Sequence, residues 1–95
     1  MGAIPAANIT RKETISAGNK RMFICRVTGD VGGGTTLKVP FSTILSAWVG
    51  NSCPSGDTGE ADGFSPKLSW SGVEITYGAA PTNGSTHMLH VIGSD

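Results

Sequence analysis

Lys20-Arg21-Met22-Phe23-Ile24-Cys25-Arg26-Val27-Thr28 (KRMFICRVT) is the stretch on which the fold turns. Phe23, Cys25 and Val27 share one parity, and Met22, Ile24, Arg26 and Thr28 share the other. Successive side chains of a strand point to opposite faces, so this pattern predicts a strand. Apolar groups on both parities predict a central strand, covered at least in part on both sides. The glycine-rich stretch Gly29-Asp30-Val31-Gly32-Gly33-Gly34-Thr35-Thr36 ends it.

On the N-terminal side, residues 1–7 are small and carry a proline, which predicts an extended arm outside the core. Residues 8–17 place Ile9 and Ile15 on one parity with Arg11 and Glu13, the pattern of a weakly amphipathic edge strand. Gly18-Asn19 is a turn signal before the central strand. On the other side, residues 35–41 carry Leu37, Val39 and Phe41 on one face and run into Pro40, a short strand leaving its sheet. Residues 42–45 read as a short turn that enters a strand over 46–50.

Residues 51–66 form the one long loop, rich in Gly, Pro, Ser and acids, and are expected at the surface. Residues 67–70 and 73–77 predict a strand pair around Ser71-Gly72, joined by a two-residue hairpin or a bulge. After a loop over 78–85, residues 86–92 close the chain as a strand, with Leu89 and Val91 opposite Met88, His90 and Ile92. About seven short strands between Gly, Asn and Pro turns predict one all-β domain over 8–95, a small antiparallel sandwich or barrel with little helix.

Composition narrows the function classes. Charged residues are 15% of the chain, against about 25% ordinarily, so Gly, Ser, Thr and Asn must cover much of the surface. Formal net charge is zero, which removes any long-range pull toward nucleic acid or an anionic membrane. Six of the seven basic residues lie in the first 38 positions and five of the seven acids lie beyond position 56. Folding is expected to bring the two ends together and cancel that polarity. No run of 18 apolar residues exists for a membrane span, and residues 1–7 lack the basic and apolar regions of a signal peptide. The expectation is a protein that is intracellular at synthesis, with Cys25 and Cys53 as free thiols and a disulfide between them the alternative.

The chemical motifs are weak. The triple glycine precedes a strand rather than a helix, and Lys38 is four residues past Gly34, so a turn is preferred over a phosphate cradle. His87 and His90, three apart on a strand, point to opposite faces and cannot share a metal. Asp57, Glu60 and Asp62 lack the alternate spacing of a calcium loop and read as solvated acids. No nucleophile elbow and no cysteine–histidine pair appear, so no enzyme and no cofactor are expected. Trp48, Trp70 and Tyr77 suit a sugar platform, although large aromatics on a small sandwich more often fill the core.

One resemblance spans residues 9–92. Gly18-Asn19-Lys20-Arg21, the strand ending Arg26-Val27-Thr28, Gly32-Gly33-Gly34-Thr35-Thr36-Leu37, a short strand with Trp48, and a closing apolar strand follow one another. This layout resembles the small β-rich virion proteins of tailed bacteriophages. The resemblance implies a capsid decoration, or cement, protein, made in the host cytoplasm and resident in the virion. It would bind the major capsid protein or another virion protein, as a homo-oligomer and often as a trimer. The long 51–66 loop and its acids depart from the layout, which keeps a tail or connector role open. A carbohydrate- or cell-surface-binding module is the alternative from another class. For partner contact the candidates are the apolar arm at Ala3, Ile4, Pro5 and Ala6, able to add a strand to a neighbour's sheet, and the bare tip at Gly32, Gly33 and Gly34.

Overall fold

Two antiparallel sheets pack around one apolar core in a computed structural model that describes residues 2–50, 58–60 and 64–94. Within those residues the chain runs through a 3-10 turn Ala6–Asn8, then β1 (Ile9–Ala17), β2 (Lys20–Thr28), β3 (Thr36–Lys38) and β4 (Thr43–Gly50). It continues with β5 (Leu68–Ser71), β6 (Glu74–Tyr77) and β7 (Thr86–Ser94). One sheet has the order β1-β2-β7-β4 and the other β3-β6-β5. The all-β architecture with little helix is therefore as the sequence predicts. β4 begins at Thr43, so the turn expected over 42–45 is mostly strand.

β2 lies in the interior of its sheet, between β1 and β7. Phe23, Cys25 and Val27 face the second sheet and are buried. Their partners on β7, across the register Phe23↔Val91, Cys25↔Leu89 and Val27↔His87, are buried with them. From the other sheet come Leu37, Ile75 and Tyr77, with Val39 and Phe41 following β3. Phe23 and Phe41 meet edge to face at 6.5 Å and 89°, the arrangement that ring quadrupoles favour. The outward parity of β2, Met22 to Thr28, is half-buried.

Two corrections concern the N-terminal third. Ile9 and Ile15 do not share a face, because the register slips by one residue between Thr10 and Glu13, where Arg11 has φ 51°. Such a bulge flips every side chain beyond it. Ile9 thus faces inward opposite Val27, and Ile15 faces outward opposite Met22. The arm is also not outside the core. Ile4 is buried within it, and Ala3 bridges Thr36 in parallel. Ile4 N donates to Thr36 O at 2.8 Å, and Thr35 N donates to Gly2 O at 3.0 Å. The arm adds itself to the edge of its own sheet, at β3. An apolar Ile beside the outer edge of a short strand gains burial and hydrogen bonds together by doing so.

Candidate functional site

β7 carries both histidines, and its alternation separates them as the spacing predicts. His87 shares the inward parity with Leu89 and Val91 and is fully buried, while His90 faces out. His87 Nε2 lies 2.6 Å from Tyr77 Oη, and Nδ1 lies 4.0 Å from Glu60 Oε2. Thr82 N donates to the same carboxylate, at 3.0 Å to Oε2. Phe64 and Tyr77 flank the imidazole, each with its ring centroid 5.4 Å away.

The charge beside the ring favours one tautomer. A carboxylate facing Nδ1 favours the proton there, so Nε2 accepts from the Tyr77 hydroxyl. Nδ1 makes no hydrogen bond, being too far from Glu60 for one. Burial pushes His87 down to about 4, so the ring is neutral at pH 7. Burial, with smaller contributions from Cys25 and Glu60, raises the Tyr77 hydroxyl, which stays protonated. The Cys25 thiol is pushed up to about 12 by burial, a shift partly offset by Lys12. It is a free thiol buried in the core, with little thiolate at neutral pH.

The cluster holds a loop in place. Glu60 N donates to Thr86 O at 3.2 Å and Thr86 N to Thr58 O at 2.7 Å, so residues 58–60 lie along the start of β7. Glu60 was expected among solvated acids, but its side chain is only 1% exposed. The backbone N–H of Thr82, distant in sequence, donates to both carboxylate oxygens and so gives the buried side chain a hydrogen-bond partner. Asp57, Asp62 and Cys53 lie outside the described residues. Nothing in the composition of the 51–66 loop marks Glu60 out from its neighbours. His87 was legible only through its parity with Leu89 and Val91.

The sequence-predicted contact residues come together, but largely upon one another. Ala3, Pro5 and Ala6 are exposed, whereas Ile4 is core. Asp30 ties the glycine turn, accepting from Gly32 N at 3.2 Å and Gly34 N at 2.8 Å. Gly33 sits at φ 68°, where other residues are strained. Gly34 is buried against the arm, and a Cβ there would stand 2.8 Å from Ala3 O. The close backbone approach expected between subunits is thus made at Gly34 within the chain. Beside the arm lies an open cleft of 310 Å³ lined by Ile4, Ile9, Phe23 and Leu37, with exposed Lys12 and Lys38 at its rim.

The aromatics divide. Tyr77 is core, but Trp48 is 41% and Trp70 38% exposed, against the expectation that both fill the core. Trp48 shares its parity with Ser46 and Gly50, outward-facing positions, and Trp70 sits on the four-residue edge strand β5. The two lie on different sheets, so no three-ring platform forms. Trp48 instead stacks on His90, with centroids 5.0 Å apart and planes within 3°. Across the outward face, register aligns Glu13, Ile24, His90 and Trp48 in one row and Ile15, Met22, Ile92 and Ser46 in the next. Ile15 is half exposed, and Met22, Ile24, Met88 and Ile92 are half-buried. Among the described residues nothing forms a third layer over this face.

Among the described residues no group of three or more His, Cys, Asp or Glu is placed to hold a metal ion, and no helix is long and apolar enough to cross a membrane. No protein family, curated protein or solved structure matches this chain.

Proposed function

We propose that this chain is a non-enzymatic structural module that docks on a protein surface, in the manner of a virion protein that decorates or cements an assembled capsid. The carrying observation is the outward face of the four-stranded sheet. Ile15, Met22, Ile24, Trp48, Met88 and Ile92 put apolar groups on a face that no described strand covers, with Thr10, Glu13, Arg26 and Ser46 at its rim. An apolar patch rimmed by polar groups is the usual composition of a protein contact. Zero net charge suits close repetition on a lattice, since copies do not repel. The buried histidine cluster fits the same reading, because His87 has no exposed surface through which a substrate could reach it.

The test is co-sedimentation of the purified protein with assembled, expanded virion shells. The expected result is saturable binding at a fixed ratio, with greater resistance of the shells to heat. An Ile24→Lys variant that keeps its native circular dichroism should fail to bind. Absence of binding to shells and to tail components would end this reading. Glycan binding is the second reading, favoured by the exposed, stacked Trp48. It requires a sugar-induced shift in tryptophan emission that the Trp48→Phe variant lacks.

A further inference from the structure

Four strands border the two sheets, and their outer edges are not equivalent. The edge of β3 is covered by the arm, through Ala3 and Ile4. β5 is only four residues long. β1 is nine residues long, but it carries Arg11, Lys12 and Glu13 and is kinked at Arg11. Charges, bulges, short length and a covering segment are the devices that blunt a sheet edge. β4 carries no charge and no proline over its eight residues, and among the described strands only β5 of the other sheet comes near it besides β7. It pairs with β7 on one side, and among the described residues nothing hydrogen-bonds to the other.

The side chains of β4 indicate what would pair there. Its irregularity lies between Ile44 and Ser46, which leaves Ser46–Gly50 as the regular run, with Trp48 at the midpoint. On the outward face Trp48 stands between two small residues, Ser46 and Gly50. An antiparallel copy centred on Trp48 sets the two indoles opposite each other, Ser46 opposite Gly50, and Ala47 opposite Val49. Large meets large only at the axis, and aromatic pairs are among the stabilising cross-strand pairs. A neutral strand offers no charge clash with itself, and a twofold contact needs just such self-complementarity.

We propose that β4 pairs with β4 of a second copy about a twofold axis at Trp48, giving a continuous eight-stranded sheet. The blunted β1 strands then form both outer margins, so assembly stops at two copies rather than growing into a fibre. The two outward faces become one surface of doubled area. This interface does not depend on what that face binds.

Sedimentation equilibrium of the full chain should give twice the 9.7 kDa chain mass. Ser46→Lys, at an exposed position, should weaken association by about tenfold or more while leaving the circular dichroism native. In a Cys53→Ser background, Trp48→Cys should form a covalent dimer on oxidation, since opposed strand residues stand within disulfide reach. Thr14→Cys on β1 should not. A chain that stays monomeric at about 1 mM, a trimer, or a dimer that cross-links through Thr14→Cys but not through Trp48→Cys would each overturn the proposal. If Trp48→Cys fails to fold, Ser46→Lys alone decides: an unchanged dimer refutes it.

Discussion

His87 and His90 lie three residues apart on β7 and live in different solvents. His87 faces the second sheet, gives up its charge, and is held by Tyr77 and the Glu60 loop. His90 faces outward and lies flat against Trp48. The same side chain is a polar member of the core in one place and a stacking surface in the other. Strand alternation alone separates them, and everything else follows from what the fold puts on each side.

The comparison breaks most sharply between neighbours on the two faces. Leu89→Ala, at a position with no exposed surface, should cost about 2–5 kcal/mol in chemical denaturation, the cost of a core cavity. Met88→Ala, one residue away and facing out, should cost about 1 kcal/mol or less. Equal losses would mean that the outward face is covered as fully as the core.

Acid tests the inward histidine. The unfolded chain takes up a proton on His87 near pH 6.5, whereas burial delays this to about 4 in the folded protein. Stability from this group is therefore complete above 6.5 and is lost as pH falls toward 4, by at most about 3 kcal/mol. Chemical denaturation as a function of pH measures it, and His87→Gln should flatten that part of the profile. A profile unchanged by the substitution would show that His87 titrates alike in both states.

The smallest effect is expected on the outward ring pair. Trp48→Ala, measured at concentrations where the chain is monomeric, should lower stability by about 0.5–1.5 kcal/mol, the scale of one stacked aromatic contact. Acrylamide should quench Trp48 in the folded protein. A shielded Trp48 in a dilute sample would place a covering segment over the outward face.

The strands were largely legible, because period-two alternation is local. β2, β6 and β7 carry inward-facing residues that the sequence marks as apolar, and the turn at Gly18-Asn19 sits where glycine signals it. The hairpin expected around Ser71-Gly72 turns one residue later, at Gly72-Val73. Ile9 and Ile15 were misjudged because a bulge is invisible in a pattern of alternating types. The arm was misjudged because Ile4 has little to show it as core until β3 offers an edge to pair with. Trp48 and Trp70 were misjudged because size suggests burial, while exposure is set by the face and by the strand's place in the sheet.

By itself the chain determined its all-β character, its central strand, the opposite facing of its two histidines and the turn at Asp30 through Gly34. Those features rest on alternation and on backbone preferences, which act over a few residues. Tertiary structure alone decided that β2 and the last strand, β7, lie side by side, that Glu60 is buried near His87, and that the arm closes its own sheet. It also left β4 as the one long uncharged edge without a partner among the described residues. Such outcomes depend on which distant segments bury and hydrogen-bond each other, and short-range pattern does not contain that choice.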